Sequence, residues 1–251
     1  MSVRPHPIPA LILAAAAAAL ALTACSTSTS SAHDQRAFGF SGTRLVIDDT
    51  SSDLQVVPGN GPGIEVQRWL SGTAAKPGHS SWTLSGDTLQ LSIDCSGLVF
   101  SCGSRFQVAV PPGVAVTVSS GSNTVTVSGL SAPVAVSGNQ GSVNVSGVAG
   151  PLQVSTGSGS VTATALRSSA VQITTNQGSA DISFAGAPRS VTAKCSTGNA
   201  RVRVPANGHR YHVLVSSGTG NASSKVPDDP QAGSIVQVSS GNHDATVLPA
   251  S

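Results

Sequence analysis

The C-terminal half of the sequence contains seven copies of one short unit, and this repeat constrains the fold more than any other feature. In every unit a second apolar residue follows nine positions after the first, and successive units begin 18 to 23 residues apart. The paired positions are Val116 and Val125, Val134 and Val143, Leu152 and Val161, Val171 and Ala180, Val191 and Ala200, Val213 and Ala222, and Val236 and Ala245. Similarity at a fixed period of this length is typical of solenoids and repeat arrays.

Within each unit, an alternating Val-x-Val segment predicts a short strand with one buried face, and a second such strand follows a turn. Two columns of turn residues separate the strands. We expect the first column to adopt positive φ, which Gly and Asn tolerate. That column holds Gly121, Asn139, Gly157, Asn176, Ser196, Gly218 and Gly241, and the second holds Asn123, Gly141, Gly159, Gly178, Gly198, Gly220 and His243.

One such coil is too small to bury its own apolar face, but stacked coils bury a continuous ladder of Val and Ala. We therefore predict an all-β fold, a β-solenoid, and specifically a right-handed parallel β-helix whose seven regular coils occupy residues 111–249. Seven coils at a spacing of about 4.8 Å would span roughly 30 Å. The alternative is an antiparallel sandwich with glycine-rich hairpins, which the constant phase of the two strands disfavours.

Residues 38–110 form a less regular N-terminal part in which alternation is still visible. The segments 45–47 and 54–56 repeat the nine-residue offset, and Pro111-Pro112-Gly113 marks the junction with the regular repeats. This part contains most of the large aromatic residues, among them Trp69, Trp82, Phe100 and Phe106. They either close the open end of the solenoid against edge pairing or belong to a separate strand-rich subdomain.

Residues 1–24 predict an export signal. A basic start is followed by an apolar run over 10–22, which is shorter than a confident membrane-spanning helix; a retained signal anchor is the alternative. Leu22-Thr23-Ala24-Cys25 resembles a bacterial lipobox, in which Cys25 becomes the lipid-carrying N-terminus. Residues 25–37 are polar and lack a hydrophobic period, so we predict a flexible tether there.

Export implies a compartment in which disulfides persist. Cys95 and Cys102 lie seven positions apart and are candidates for a disulfide that closes a small loop between two strands. Cys195 is left over and is interpreted as structural, although an odd exported thiol can also pair between chains or react.

Composition excludes several functional classes. Charged residues make up 10% of the chain, the formal net charge is +2, and aromatic residues make up 3%. A nucleic-acid-binding protein needs a basic stripe, and a base-stacking surface needs aromatic side chains. The chain is also too hydrophobic, at 39%, for a charged disordered tail.

Many β-helical proteins act on carbohydrates, so a carbohydrate-active enzyme is the main alternative to a binding module. Such chemistry needs paired carboxylates or a cation site. We place Asp181 and Asp244 in one outward column, three coils and roughly 14 Å apart. Asp228 and Asp229 fit a solvated turn. Asp48, Asp49 and Asp53 are interpreted as polar turn residues, with weak cation binding as the alternative. We expect no catalytic residues, no metal and no cofactor.

The segment His209-Arg210-Tyr211-His212 lies in an enlarged return turn, with Arg201 and Arg203 nearby in sequence. It is a candidate contact patch for a partner, and a solvated edge is the alternative. The histidines at 209, 212 and 243 have no metal-ligand spacing.

The whole pattern resembles the bacterial putative-adhesin domains of unknown function, which combine an alternating N-terminal part, a V-x-V-P segment and Gly-x-V-x-V repeats. Here the segment is Val108-Ala109-Val110-Pro111, and the resemblance covers residues 38–249. It implies a β-solenoid at the cell surface and supplies no catalytic or binding residues. We expect a non-catalytic module, lipid-anchored to the bacterial cell membrane outside the cytoplasm, with an envelope protein or glycan as partner. An envelope signalling accessory is a further alternative.

Overall fold

The computed structural model describes residues 30–96 and 101–250, in which almost all regular structure is β. A single 3₁₀ turn, Thr73–Ala75, is the exception within these residues. The strands are β1 Ser31–Phe38, β2 Arg44–Asp49, β3 Asp53–Pro58, β4 Ile64–Gly72, β5 Ser80–Ser85, β6 Thr88–Ile93, β7 Cys102–Val110, β8 Ala115–Ser120, β9 Val125–Ser128, β10 Val134–Gln140, β11 Val143–Ser146, β12 Leu152–Ser158, β13 Val161–Leu166, β14 Ala170–Gln177, β15 Ala180–Phe184, β16 Ser190–Thr197, β17 Ala200–Val204, β18 His212–Ser217, β19 Ala222–Ser224, β20 Ile235–Ser240 and β21 Ala245–Pro249.

The strands form two long sheets, and each coil of the repeat contributes one strand to each. The first sheet has the order β1-β4-β7-β3-β9-β11-β13-β15-β17-β21-β19, and the second has the order β18-β20-β16-β14-β12-β10-β8-β2-β6-β5. In the repeats all pairing is parallel, and equivalent residues are lateral neighbours: Val134 pairs with Val116 on one side and with Leu152 on the other. The β-solenoid and its seven C-terminal coils are confirmed, and the right-handed winding, the usual hand of parallel crossovers, stays a prediction.

The core is the ladder of small branched side chains between the two sheets. Val118 of β8 and Val127 of β9, which belong to the two sheets in the first regular coil, are both fully buried. The same is true of Ile173 and Ile182 three coils further along. Burying one such side chain stabilises the fold by about 1.5–3 kcal/mol, so stacking supplies what a single coil lacks.

The turns between the two strands depend on glycine in a way that differs from the prediction. Positive φ occurs in the second column, at Gly141, Gly159, Gly178 and Gly198. No residue of the first column has positive φ. In the first column the constraint is space instead. A Cβ on Gly157 would lie 2.6 Å from the carbonyl oxygen of Asn139 in the preceding coil.

The last two repeats are interchanged in space, which their sequence order does not indicate. The final unit, β20 and β21, lies between β16/β17 and β18/β19. Its strands pair with the fifth unit on one side and with the sixth unit on the other. The sixth unit is therefore the terminal layer, and it pairs only with strands that come after it in the chain.

The strands of the N-terminal part extend the same two sheets. β2 and β3 form a layer in register with the first regular coil, where Leu45 pairs with Val116 and Leu54 with Val125. β6 and β7 form the next layer outward by parallel pairing with β2 and β3. The order is interchanged here too, since the chain passes from β7 over the earlier layer to β8.

Three antiparallel strands end the stack at this side: β5 on the second sheet, and β4 followed by β1 on the first. The aromatic side chains pack here, as a cap requires. Trp69 stacks on His33 with ring centroids 4.8 Å apart, and the Arg105 guanidinium lies over its ring. Phe100 lies outside the described residues.

The prediction of a flexible tether over 25–37 is wrong for its second part. Residues 31–37 belong to β1, which pairs with β4 along its whole length, from Ser31 opposite Ser71 to Phe38 opposite Ile64. Asp34 of this polar strand is bound by the Arg68 side chain at 2.9 Å. The polar composition of this segment suggested a linker because β1 is an edge strand, and most side chains of β1 face solvent. Residues 25–29 lie outside the described part.

Candidate functional site

The predicted export signal over 1–24 and the lipid attachment at Cys25 both lie outside the described residues. Within residues 30–96 and 101–250 no helix has the length and apolarity needed to cross a membrane.

Cys95 and Cys102 form a disulfide with a Cα–Cα distance of 6.0 Å. It joins the segment after β6 to the start of β7, and so closes the connection between the two sheets in this layer. The end of the β6 segment and the start of β7 are therefore covalently linked at the capped end of the stack.

Cys195 is free and buried, at a position that other coils give to a hydroxyl residue. Its lateral neighbours are Thr175 and Ser240, whose hydroxyls donate to the carbonyl oxygens of Gly178 and Gly198 in the turn. The Cys195 thiol points to the Asn199 carbonyl at 3.6 Å in the same manner. Burial raises the pKa of this thiol, which opposes the thiolate form that reacts. The structure thus gives Cys195 a turn-stabilising position.

In the part of the chain that the structure describes, Asp181 and Asp244 do not form a paired-carboxylate site. Asp181 pairs laterally with Arg201, and its column continues to Thr246, so the prediction that Asp244 shares this column is wrong. Asp244 precedes β21 in the turn, where its carboxylate accepts the Asn221 N–H at 2.9 Å. The offset arose because Asp181 follows the buried alanine of its unit whereas Asp244 precedes it. Arg203 also forms an ion pair with Asp181.

The acids at 48, 49 and 53 take different environments. The prediction that they are turn residues is wrong, since Asp48 and Asp49 end β2 and Asp53 begins β3, where it accepts the Thr124 N–H at 3.1 Å. Asp49 instead points into the stack and is 3% exposed, with one carboxylate oxygen bound to the Ser52 hydroxyl and the other lacking a partner. Its lateral neighbour Ser120 also has a buried hydroxyl without a partner. Across the described part of the chain, no three His, Cys, Asp or Glu side chains are grouped to hold a metal.

Burial raises the pKa of Asp49 from 3.8 to about 6, although hydrogen bonds from Ser52 and Ser51 oppose the shift. The folded state therefore holds this proton more tightly than the unfolded state does. The contribution of Asp49 to stability should be most favourable below pH 4, fall as the pH rises from 4 to 6, and stay constant above that.

The Asp49→Asn protein should be more stable than the parent at pH 8, by up to about 3 kcal/mol, and nearly equal to it at pH 4. An amide keeps the acceptor for Ser52 and adds a donor that can reach Ser120, without a charge to bury. Urea unfolding at the two pH values measures the difference. Asp48→Asn, at the adjacent outward position, is the control and should change the profile little. Equal destabilisation by Asp49→Asn at both pH values would contradict the assignment.

In the segment His209–His212, Tyr211 belongs to the core, whereas His209 and Arg210 are exposed, so a contact patch here stays a prediction that Tyr211 cannot join. Tyr211 is fully buried and donates its hydroxyl to the Pro205 carbonyl at 2.7 Å. Asp228, predicted as a solvated turn residue, accepts the Val213 N–H at 2.8 Å and contacts His212 at 3.0 Å. These bonds lower the pKa of Asp228 and occupy part of the free edge of β18. The segments that contain Tyr211 and Asp228 together cover the C-terminal end of the solenoid.

One arrangement that can receive a ligand is a groove on the outer face of the second sheet, with a volume of about 440 Å³. It crosses β8, β10, β12, β14 and β16, that is, five successive coils. Two parallel columns of side chains line it. The first column consists of the residues that precede the first apolar residue of each unit: Ala115, Pro133, Pro151, Ala170 and Ser190. The second column consists of the outward residues that follow that apolar residue: Thr117, Ala135, Gln153, Gln172 and Thr192.

This groove was not predicted from the sequence. The signal that could have found it is the small or cyclic residue that precedes the first strand in successive units, such as Pro133 and Pro151. Lateral pairing places these residues in one row, beside the row that contains Gln153 and Gln172. Arg44 of β2 ends the first row and donates to the Thr117 hydroxyl at 3.4 Å. The groove thus combines a small apolar row, a row rich in amides and hydroxyls, and one terminal cation.

Solved structures with a similar fold include a putative adhesin from Bacteroides fragilis, at 14% identity over 87% of this chain and 97% of that one, with a TM-score of 0.49. A putative cell adhesion protein from Clostridium sporogenes matches at 10% identity over 88% and 100%, with a TM-score of 0.42. A putative lipid binding protein from Parabacteroides distasonis matches at 12% identity over 87% and 97%, with a TM-score of 0.36. At these values the likenesses assign neither a ligand nor an activity.

No curated protein matches the chain in sequence. The family model described as Toastrack DUF4097 matches residues 111–247, which is more than half of the 251 residues. The match begins at the junction Pro111-Pro112-Gly113 and includes all seven repeat units, so the residues that carry it are those that form the stacked coils. The chain belongs to the Toastrack DUF4097 family.

Proposed function

We propose that this protein is a non-catalytic, extracytoplasmic module that is lipid-anchored to the bacterial cell membrane and presents its solenoid for adhesion or for contacts within the cell envelope. The observation that carries the proposal is the groove, because five coils present neutral side chains in register on one continuous outer face. A surface built by stacking is stiff and repetitive, which suits attachment to an extended partner. The family membership and the lipobox-like Leu22–Cys25 segment support the surface location.

The charged groups support a binding role over catalysis. The Asp181 carboxylate is held by Arg203 and lies 3.7 Å from Arg201, so it is neutralised. Asp228 is occupied by the Val213 N–H and His212. General acid–base work needs a carboxyl that is free to reach a substrate proton, and these groups serve the structure instead.

Anchoring is tested with the Cys25→Ala protein expressed in its bacterial host. The wild-type protein should partition with membranes into the detergent phase, and the variant should be released in soluble form or stay as an unprocessed precursor. Cys195→Ser is the matched control and should partition as the wild type does. Equal partitioning of processed Cys25→Ala and wild-type protein would contradict anchoring at this residue.

Adhesion is tested by attachment of cells to isolated envelope material and to whole cells of the same culture. Cells that carry the protein should attach more than cells that lack its gene, and protease treatment of intact cells should remove both the protein and the difference. If protease removes the protein from whole cells while the attachment difference persists, the surface module is not the cause.

A further inference from the structure

We propose that the groove on the outer face of the second sheet binds an uncharged polysaccharide strand that lies along the solenoid axis. The proposal rests on the proposed function as a surface module and names the class of its ligand.

The length and direction of the groove fit a linear polymer. Its five coils are adjacent layers of a parallel sheet, and at a spacing of about 4.8 Å they extend for about 20 Å. Each layer repeats the same pair of positions, so the groove offers equivalent contacts at a constant interval. A compact small molecule would use one or two layers, whereas a chain of sugar units can use all five.

The two rows of side chains match the two kinds of surface on a sugar ring. Ala115, Pro133, Pro151 and Ala170 supply a smooth apolar row against which ring C–H groups can pack. In the neighbouring row, Gln153 and Gln172 occupy adjacent layers and are both exposed. Each amide can donate and accept, as a sugar hydroxyl can, so either hydroxyl orientation finds a partner.

Charge selects against anionic polymers. Arg44 is the one charged residue among those that line the groove, and it lies at one end with its guanidinium directed to Thr117. Binding of a polyanion needs several cations distributed along the chain, as phosphate recognition shows. The row formed by Gln153, Gln172 and Thr192 is neutral instead. The polymer that fits is therefore uncharged.

An extended peptide is a poorer fit than a polysaccharide. Peptides that dock on sheets do so at a free edge, where backbone groups are unpaired. The strands of the groove from β8 to β16 lie in the interior of the second sheet, and each pairs on both sides. Their backbone groups are used within the sheet, so a peptide backbone would find only side-chain amides and hydroxyls there.

The test uses purified full-length protein in detergent micelles and a set of uncharged polymers: dextran, laminarin, galactomannan, cellohexaose and chitohexaose. Polygalacturonate serves as the anionic comparison. Affinity electrophoresis detects the polymers, and calorimetry measures the oligosaccharides. At least one uncharged probe should bind, and polygalacturonate should not bind more tightly than that probe.

Two variants alter the groove. Gln153→Ala combined with Gln172→Ala removes both amides and should weaken binding by at least about 10-fold, since several hydrogen bonds are lost. Ala135→Trp fills the space at an outward position of β10 and should abolish binding. Asn144→Ala combined with Thr162→Ala is the control. These neighbouring outward residues belong to β11 and β13 of the first sheet, on the side of the solenoid opposite the groove. Unchanged far-ultraviolet circular dichroism and thermal midpoints establish that each variant is folded.

Binding that is lost in the groove variants and retained in the control supports the proposal. It is overturned if no uncharged probe binds, if the control loses binding equally, or if polygalacturonate is preferred. Measurements of cell attachment distinguish a failure of the groove proposal from a failure of the proposed function. If attachment persists in cells that carry Ala135→Trp, the groove is not the adhesive surface although the surface module stands. If the wild-type protein binds a probe but promotes no attachment, the polysaccharide site stands without adhesion.

Discussion

A protein that ends at Ser234 is expected to lose two coils of the solenoid, although only one coil is removed from its sequence. The deleted strands β20 and β21 lie between the fifth and sixth units, and the strands of the sixth unit, β18 and β19, have no other neighbour in their sheets. The deletion also removes Val236, Val238 and Val247, which are fully buried. At about 1.5–3 kcal/mol for each, roughly 5–9 kcal/mol is lost, which is comparable to the whole stability of a typical domain.

Hydrogen exchange and urea unfolding measure this effect. Amides of β18 and β19 should exchange as fast as those of an unfolded chain, and the remaining protein should be far less stable or unfolded. Persistent protection of β18 amides in the truncated protein would contradict the interchanged order.

An internal deletion supplies the matched control. Residues 205–234 are replaced by Ala-Gly-Ala-Pro-Arg, the return that connects β15 to β16 over residues 185–189. The chain then passes directly from β17 to β20, which already pairs with β16 in the intact protein. This variant lacks thirty native residues, more than the truncation does, and yet it should keep a cooperative transition and lose only the outermost coil.

The second large effect is expected at Gly159, in the turn column that adopts positive φ. Gly159 has φ 144°, and a Cβ there would lie 2.0 Å from the Gly141 carbonyl oxygen of the preceding coil. Because its own N–H donates to the Gln177 carbonyl of the next coil at 2.8 Å, the turn cannot move away without losing that bond. Gly159→Ala should therefore cost about 3 kcal/mol or more in the free energy of unfolding.

Gly147→Ala is the matched control, because Gly147 also has positive φ, 62°, but a Cβ there would meet no atom within 4 Å. It should cost about 1 kcal/mol, the backbone penalty alone. Ala165, at the equivalent place one coil later, already adopts φ 52° in the native protein. Equal costs for Gly159→Ala and Gly147→Ala in urea unfolding would show that close stacking of the turns adds nothing.

The regular part of the fold was predictable because it depends on local repetition. Val134 and Val143 lie nine residues apart, and the same interval in each unit predicts two strands per coil and their lateral pairing. The turn glycines were predicted as a group, but the column that carries positive φ was not, since Gly and Asn occur in both columns. The prediction of a tether was wrong for residues 31–37 because an edge strand can have the same polar composition as a linker.

The candidate site was less predictable than the fold. Tyr211 was assigned to a contact patch because its segment is polar, whereas burial against the end of the stack makes it a core residue. Pro151 and Gln153 were visible in the sequence, but their neighbours in the groove, such as Ala170 and Gln172, are brought beside them only by pairing between coils. Asp49 looked like its neighbours Asp48 and Asp53, and only the direction of its side chain distinguishes it.

The repeat alone is enough to predict a parallel β-solenoid, because a short unit with one buried face can bury that face only by stacking on a copy of itself. The order of the layers at both ends and the place of the groove depend on how the coils pack in three dimensions. All units present nearly the same edge to their neighbours, so the sequence does not distinguish which two units pair. That choice depends on the connections, such as the long return before β20, and on the side chains that cover the two ends, such as Tyr211 and Trp82.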